Sequence, residues 1–569
     1  MDNIEIAKIF NEIADVLELK NANPFRANAY RQAALSIESL PQDIKDIYQD
    51  DKLKEIPGIG EKIAQHIKDL ITKGHSVELD RIINSLPRGL VELLRINGLG
   101  PKKVKFIYKK FKVKSISDLK KLLNSHKLES QRGWGEKTVN NIKEGLGLYE
   151  KFSQRLPLGQ VDDLVQKILH ELKKNYIIDR AEIAGSFRRS KETVGDLDFL
   201  ATSKRPQQAI NFFCQLPEVK NILSSGPTKA NVFLKRGLEA DLRVVEPDSF
   251  GAALYYFTGS KAHNIATRKI GISKGLKINE YGIYKRGGRK IGGREEMDVF
   301  KAIDLPWIPP EIRENTGEIE AARKSALPKL ITQKDIKGDL HVHSIWSEGA
   351  QTILEMAQAA KKFGYKYIAI TDHDATIGIT HGLTADRVIK QLKEIKKANK
   401  SLKDFKILSG IEIDIHKDGS LSLPDKVLSM LDVVVASVHS YFKQPRAEMT
   451  KRIVNAVRNV NVDIIAHPTT RLINRREPIN VDLEEIYREA KKNKTILEIN
   501  SQWNRLDLND VNARTAKSFG VKFAISTDSH YISELQNIKF GVAIARRGWI
   551  EKKDVVNSMS LNNLLKSLK

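Results

Sequence analysis

The feature that most constrains the fold is a regular alternation of strand-like and helical runs toward the C-terminus. Between Asp339 and Trp549, apolar strand-like runs alternate with helical runs about seven times. This order is typical of a parallel sheet or barrel, because parallel strands need crossover connections. In a β/α barrel the C-terminal ends of the strands converge on one mouth, so residues that are remote in sequence meet there.

Imidazoles and carboxylates stand at or near the ends of these runs. Eight of the 13 histidines follow Lys337. The residues at strand ends are His341, His343, Asp372, His373, Glu412, His439, His467, Asp528 and His530. A single histidine is usually a satisfied core or surface residue, but this recurrence indicates a metal centre. Mixed ligands of this kind suit manganese, zinc or iron better than magnesium. Such metals would lower the pKa of water and bind a phosphate, which favours phosphoester hydrolysis.

A second cluster of chemistry lies in the segment Gly185–Asp198. It ends in Asp196 and Asp198, two apart in an apolar strand, so both project from one face while Leu197 and Phe199 take the other. Two like charges this close favour a divalent cation between them.

Asp241, on a later strand-like run, is placed to join this pair. Three carboxylates can hold two metals ~4 Å apart for phosphoryl transfer. The alternative is an ion pair with Arg189 or Arg243. Gly185 and Ser186 lie where a strand gives way to a turn, and could bind a triphosphate through backbone N–H and hydroxyl groups.

The first part of the chain, to about Ser153, alternates helical patterns with short glycine turns. Residues 56–62 and 96–102 repeat one pattern, a turn that needs glycine followed by a helix that opens with lysine, and residues 134–137 are a degenerate third copy. Ordinary helix connections are the alternative. The motifs resemble helix-hairpin-helix motifs that bind the DNA backbone, which implies DNA contacts at Gly58, Gly60, Lys62, Gly98, Gly100 and Lys102.

Composition limits the partners and the compartment. Lys and Arg number 95 against 71 Asp and Glu, a formal charge of +24, which favours nucleic acid over a membrane surface, although a merely soluble basic surface remains the alternative. Cys214 is the only cysteine, so no disulfide framework or thiolate zinc cluster is expected. No apolar run approaches membrane length and no secretion signal is recognisable, so we predict a cytoplasmic protein without membrane contact.

The segment Gly185–Asp198, Asp241, and the motifs at residues 255–260 and 277–282 together resemble the palm and thumb of the family X DNA polymerases, the group of DNA polymerase beta. The resemblance implies that Asp196 and Asp198 bind two metals, Mg²⁺ or Mn²⁺, and that Asp241 binds the catalytic one and accepts the primer hydroxyl proton. It implies a deoxynucleotide substrate. The implied nucleotide contacts are Gly185, Ser186, Arg189, Gly195, Arg155, Tyr256, Phe257, Gly259 and Asn264.

Two residues depart from that pattern. His66 stands where relatives with deoxyribose-phosphate lyase activity carry a Schiff-base lysine, and imidazole cannot form an imine. We therefore expect no lyase activity unless Lys62 substitutes. Glu239 stands where polymerase beta has arginine, which removes a positive charge near the aspartates and is expected to alter metal affinity.

The C-terminal motifs resemble the polymerase and histidinol phosphatase (PHP) domain, a distorted (β/α)7 barrel with up to three ions, Mn²⁺ or Zn²⁺. The implied ligands are His341, His343, Glu348, His373, Glu412, His439, His467, Asp528 and His530. Glu348 replaces the usual aspartate, which puts one metal position in question. Asp372 is expected to orient His373. His381 and His416 lie outside the pattern and receive no role.

The expected architecture is therefore multidomain, with α-helical helix-hairpin-helix domains, an α+β nucleotidyltransferase palm with a thumb, and the distorted barrel. The predicted segments are 1–80 and 81–153 (helical, DNA-binding), 154–247 (palm), 248–315 (thumb), 316–333 (linker) and 334–569 (barrel).

The expected function is nucleotide addition at a primer 3′ end in gapped or nicked DNA, by a monomer using deoxynucleoside triphosphates. The barrel is expected to add 3′–5′ exonuclease activity, with abasic-site cleavage or 3′-phosphate removal as extensions. Two alternatives remain open: a barrel that hydrolyses small phosphoesters, or a DNA-binding scaffold with an inactive barrel.

Overall fold

The computed structural model describes residues 1, 3–20, 22–38, 44–94, 96, 98–125, 127–131, 133–152, 155–376 and 381–569. These residues form two units. One comprises residues 1–153 with 474–477, and the other comprises residues 154–473 with 478–569. Each unit is described by itself. No helix among the described residues is long and apolar enough to cross a membrane.

The first unit is helical. Its helices are α1 Asn3–Leu19, α2 Pro24–Glu38, α3 Ile44–Gln49, α4 Glu61–Lys73, α5 Val77–Ile83, α6 Arg88–Leu93, α7 Pro101–Phe111, α8 Ile116–Asn124 and α9 Glu136–Phe152. The repeated glycine turns precede α4 and α7. Gly58 and Gly98 have φ of 79° and 90°, a left-handed conformation that favours glycine, which explains the repeat in the sequence. Asn97, within the second copy, lies outside the described residues.

The palm is a five-stranded mixed sheet. Its elements are β1 Leu156–Pro157, α10 Leu158–Lys174, β2 Arg180–Ile183, α11 Gly185–Arg188, β3 Thr193–Val194, β4 Asp196–Thr202, α12 Pro206–Cys214, β5 Val219–Ser225, β6 Lys229–Leu234 and β7 Glu239–Val245. The strand order is β2-β4-β7-β6-β5, in which only β4 and β7 are parallel. Leu197 and Phe199 belong to one hydrophobic core and Leu200 to another, so β4 alternates as predicted.

The thumb follows the palm. Its elements are α13 Phe250–Thr258, α14 Lys261–Ser273, β8 Leu276–Asn279, β9 Gly282–Lys285, β10 Lys290–Gly292 and α15 Glu296–Ala302, with α16 Glu318–Arg323 after it. The prediction that residues 316–333 form a linker without a core pattern was wrong. Ile319 and Ala322 are buried in α16, and the fully buried Glu318 accepts a 2.7 Å hydrogen bond from His263. The pattern was too short to recognise, since α16 has fewer than two turns.

The C-terminal part of the second unit, after the thumb, confirms the expected barrel. Its elements are β11 Gly338–Val342, α17 Ile353–Phe363, β12 Tyr367–Ile370, α18 Ala385–Ser401, β13 Lys406–Asp414, α19 Asp425–Leu428, β14 Val433–Ser437, α20 Arg446–Arg458, β15 Ile464–Ile465, α21 Leu483–Asn493, β16 Ile496–Asn500, α22 Asp510–Ser518, β17 Phe523–Ser526, α23 Ile538–Arg547 and α24 Leu561–Leu565. The seven strands are parallel and lie in chain order. A bridge between Val342 and Ser529 joins the ends of the first and last strands, so the sheet is nearly closed.

Candidate active sites

Three aspartates meet on the palm sheet. Strands β4 and β7 pair in parallel, with Asp198 opposite Asp241. Burial, followed by the charges of Asp196 and Asp241, raises the pKa of Asp198 to about 6. A divalent cation would relieve that repulsion, so the donor set fits metal binding. Ion pairs of these aspartates with Arg189 or Arg243 are not found among the described residues, although the charges of both arginines act to lower the pKa of Asp198. Lys229 lies 3.4 Å from Asp241.

Gly185 is tightly enclosed beside this triad. Its φ is 61°, and an added Cβ would lie 2.1 Å from Asp198 Oδ2. A larger residue would therefore displace the carboxylate. The hydroxyl of Ser186 is buried and has no hydrogen-bond partner among the described residues, which is typical of a group that binds a ligand.

The other predicted nucleotide contacts lie on the palm turn and the thumb. Arg189 donates through Nε to Glu314 at 3.1 Å and through a terminal nitrogen to the carbonyl of Thr258. Arg155 donates to Thr193, and its guanidinium lies against Gly195.

On α13, the rings of Tyr256 and Phe257 are 5.2 Å apart, and Arg243 lies over the Phe257 ring. Asn264 donates to the carbonyl of Tyr256 at 2.7 Å, which leaves its buried Oδ1 without a partner among the described residues. Gly259 ends α13 and lies near Arg189, so the predicted residues border one region of the palm and thumb.

Glu239 adds a fourth carboxylate to the aspartate triad. It lies opposite Asp196 in the β4–β7 register and two residues before Asp241, so it shares the face of the triad. Asn231 donates to Asp241 at 2.8 Å and more weakly to Glu239 at 3.4 Å. The departure noted in the sequence therefore lies at the metal-type site itself.

The nine predicted donors of the barrel converge. Within three groups, ligand atoms lie within 4.8 Å of one another. The groups are His343, Glu348, His373 and His530; His341, His343, Glu412 and Asp528; and His373, Glu412 and His439. His467 completes the set through Nε2, which lies 3.0 Å from Glu412. Glu412 is the centre of the cluster, because its carboxylate lies within 3.5 Å of five histidine rings, those of His341, His343, His373, His439 and His467.

Glu348 reaches the cluster despite its extra methylene. Its Oε1 lies 2.8 Å from His373 Nε2 and 2.9 Å from His530 Nε2. Burial opposes its ionisation, but the hydrogen bonds from these two histidines hold the pKa of the carboxyl below its usual range. The position questioned from sequence is therefore filled by a carboxylate at contact distance.

The orientation of the imidazoles fits divalent metals, whereas their pKa values differ from ring to ring. Burial opposes protonation of His439 and His530, but the carboxylates beside them raise the pKa of His439 to about 9 and that of His530 to about 10. Burial, followed by the charges of His530 and His373, lowers the pKa of His343 to about 4, so that ring is neutral, the form that binds metals. Buried ring nitrogens of His341, His343 and His373 have no hydrogen-bond partner among the described residues. They face carboxylates instead, as ligands around a cation do.

Carboxylates behind the cluster orient its histidines, and sequence reasoning missed them. Glu498 Oε1 lies 2.8 Å from His341 Nδ1, and its other oxygen accepts from the backbone N–H of His467. Asp414 accepts from the backbone N–H of His439 and lies 3.5 Å from its ring. Both are carboxylates inside apolar strands, and that signal could have revealed them.

The role expected of Asp372 was wrong. Its buried carboxylate accepts from Ser344, Ser347 and Gln391, and no hydrogen bond to the ring of His373 is found among the described residues. It therefore fixes the loop that leads to Glu348 rather than the neighbouring imidazole.

The hairpin residues lie in the first unit. Gly60 and Gly100 precede α4 and α7 as extended N-caps. Lys62 is exposed and pairs with Glu78 at 2.7 Å. His66 is 4 % exposed, contacts Ser76 and stacks on Tyr30, so the position of the expected lyase lysine is occupied by a packed side chain.

Together, these features define a chain with two metal-type centres suited to phosphoryl transfer, one on a nucleotidyltransferase-like palm and one in a β/α barrel. Family models match as a helix-hairpin-helix domain (1–76), a SAM-like helix-hairpin-helix tandem (90–147), the DNA polymerase beta palm (155–243) and thumb (253–314), and a PHP domain (339–502).

Relatives cover both the whole chain and its parts. The DNA polymerase/3′-5′ exonuclease PolX of Bacillus subtilis is 39% identical over 572 residues, 100% of both chains. A probable phosphatase of Thermoanaerobacter sp. is 30% identical over 39% of this chain and 89% of its own length. Rat DNA polymerase lambda is 25% identical over 55% of this chain and 56% of its own length. The chain belongs to the family X DNA polymerases that carry a C-terminal PHP domain.

Proposed function

We propose that the chain is a DNA-repair polymerase that adds deoxynucleotides to a primer 3′ end at gaps, and that its barrel is a metal-dependent 3′–5′ exonuclease. The observation that carries this proposal is the presence of two separate and complete donor sets on one chain. The name of the Bacillus subtilis relative joins the same two activities.

In the palm, Asp196, Asp198 and Asp241 would hold two Mg²⁺ or Mn²⁺ ions. Those ions would activate the primer hydroxyl and stabilise the leaving oxygen. Asp241 accepts the hydroxyl proton. Ser186 and the backbone at Gly185 bind the triphosphate.

The remaining predicted nucleotide contacts complete this site. Arg189 supplies positive charge to the triphosphate, with Arg155 and Gly195 bordering it. Tyr256 and Phe257 lie against the sugar, where a ribose hydroxyl would clash, and Asn264 faces the incoming base. Gly259 is a further nucleotide contact.

In the barrel, the nine donors would hold up to three Mn²⁺ or Zn²⁺ ions, which would activate water and bind the scissile phosphate. Glu412 bridges the donor groups, and Glu498 and Asp414 orient His341 and His439. Cleavage at abasic sites and removal of 3′ phosphates are extensions of this chemistry.

The DNA partner is a gapped or nicked duplex, bound by a monomer. The +24 charge favours a polyanion, and the glycine-turn helices offer backbone N–H groups to its phosphates. The contacts are Gly58, Gly60, Lys62, Gly98, Gly100 and Lys102. The domain boundaries given from sequence belong to this proposal, except for the linker at 316–333.

A second candidate function is hydrolysis of small phosphoesters by the barrel. It is favoured by the relative named as a probable phosphatase, which is matched over 89% of its own length by 39% of this chain. Competition of labelled DNA with a small phosphomonoester distinguishes the two, because a small-ester enzyme would leave DNA uncut.

Two paired variants test the main proposal. Asp196→Asn with Asp198→Asn should lower nucleotide addition roughly 1000-fold, since bound metals contribute several kcal/mol, and spare hydrolysis. His341→Ala with His343→Ala should do the reverse. The assay uses gapped and 3′-phosphate-blocked DNA with and without nucleotides, in Mg²⁺ and then Mn²⁺. Loss of both activities in either variant would refute the division of labour.

A further inference from the structure

The barrel contacts the palm at the turn that bears Arg189, one of the proposed triphosphate ligands. This turn, residues 189–195, follows α11 and leads through β3 to Asp196. Ser190 within it has a φ of 53°, an unusual value for a residue other than glycine. A turn in this conformation depends on its surroundings, and two barrel arginines supply them.

Arg547, the last residue of α23, binds one end of the turn. It is 6 % exposed, and Asp510 fixes one edge of its guanidinium at 2.6 and 2.8 Å. The other edge donates to the carbonyl of Arg189 at 2.8 Å and to Glu314 at 3.1 Å. A rigid guanidinium can bridge such partners, whereas an ammonium group offers less defined geometry.

Glu314 links Arg547 to the charged side chains of the turn. It accepts from Arg189 Nε at 3.1 Å and lies 3.4 Å from Lys191. Arg547 therefore contacts both the backbone of Arg189 and the counter-ion that orients the Arg189 guanidinium.

Arg471 binds the other part of the turn. It donates to Glu192 at 2.7 Å and to the carbonyl of Leu506 at 2.6 Å. It follows His467 by four residues, and between them Thr469 is fixed by Asp507. The loop that carries a proposed barrel ligand therefore also holds the palm turn.

Resting on the proposed nucleotide addition, we propose that Arg547 and Arg471 are positioning residues for the palm reaction. Arg547 acts through Arg189 and Glu314, and Arg471 acts through Glu192. Neither contacts the triphosphate. The barrel is thereby a structural part of the polymerase site as well as a second catalytic centre.

The test measures nucleotide KM, kcat, DNA Kd and melting temperature for full-length variants on gapped DNA. Arg547→Lys should raise nucleotide KM about tenfold, since a small misplacement of a positioned group costs one to two orders of magnitude. Its kcat, DNA Kd and exonuclease rate should stay close to wild type. Lys539→Met is the matched control, because it removes another palm–barrel ion pair, with Asp162 at 2.5 Å, that does not touch the turn.

A double-mutant cycle tests whether Arg471 acts through Glu192. Glu192→Gln and Arg471→Gln should each raise nucleotide KM, and the double variant should match the single ones, because both remove one contact. Additive effects would overturn the role of this pair. The role of Arg547 would be overturned if nucleotide KM were unchanged in Arg547→Lys. It would also be overturned if Arg547→Lys and Lys539→Met changed nucleotide KM, kcat, DNA Kd and melting temperature to the same extent. If the wild-type chain adds no nucleotide, the proposed function itself fails, and this inference fails with it.

Discussion

At the residue scale, the geometry of the palm centre depends on a glycine, Gly185, that lies directly beside a group of closely spaced carboxylates. Gly185 leaves room for Asp198 Oδ2 where any Cβ would lie 2.1 Å away. Asp198 in turn carries a raised pKa because it is buried beside two other aspartates. A bound divalent cation would offset that repulsion. The metal affinity of the centre should therefore depend on every nearby charge.

Glu239 is therefore expected to strengthen metal binding at the palm. It faces Asp196 across the strand pair, and one more charge at this range is worth on the order of 1 kcal/mol, or about fivefold in affinity. Glu239→Gln should raise the half-saturating Mg²⁺ concentration for nucleotide addition by about that factor, and Glu239→Arg by more. Glu171→Gln is the control, because it lies on α10, which packs with Leu197 and Phe199 on the opposite face of the sheet. Half-saturation that does not move in either Glu239 variant would exclude this role.

Residues differ in how far the sequence could predict them, and the reason is physical. His341, Glu412 and Asp528 were predictable because each lies within two residues of the C-terminal end of a barrel strand, and the fold gathers strand ends. Arg547 was not, since a basic residue in the last turn of a helix is ordinary and its partner Glu314 lies 233 residues away. Glu498 was predictable in part. A carboxylate in an apolar strand indicates that it has a buried partner, but the sequence does not show which residue that partner is.

At the element scale, α10 of the palm packs closely on the barrel. A Cβ on Gly159 would lie 2.2 Å from the Cβ of Trp503 and 3.0 Å from the ring of Phe540. The seven-strand order was predictable from periodicity. The docking of α10 was not, because a glycine near a helix start has no pattern of its own.

Gly159→Ala should therefore destabilise the full chain. Overpacking costs ~1–3 kcal/mol, which exceeds the ~1 kcal/mol that alanine gains over glycine in a helix. Gly147→Ala in α9 is the matched control, since an added Cβ there meets nothing within 4 Å and should be neutral or stabilising. Denaturant unfolding of both variants measures the difference. Equal stability of the two variants would show that the α10 contact can relax freely.

At the scale of the whole molecule, the palm and barrel share a continuous hydrophobic core. That core includes Val161 and Phe199 of the palm together with Ile368 and Phe540 of the barrel. The ion pair Arg471–Glu192 also joins the barrel to the palm, and Arg546–Glu311 joins the barrel to the thumb segment. Parts joined in this way are expected to unfold together, so a ligand of one should stabilise the other.

Metal binding in the barrel should therefore protect the palm from unfolding. The variant Asp196→Asn with Asp198→Asn removes the palm metal site, so that added Mn²⁺ acts at the barrel alone. At 100-fold the dissociation constant, one site contributes about 2.7 kcal/mol. This binding should slow the hydrogen exchange that occurs through joint unfolding. The exchange should slow equally in β4 and β7 of the palm and in β13 and β14 of the barrel. Adding His341→Ala with His343→Ala should abolish both effects. Slower exchange in the barrel strands alone would mean that the palm opens independently, and that the shared core does not couple the two centres.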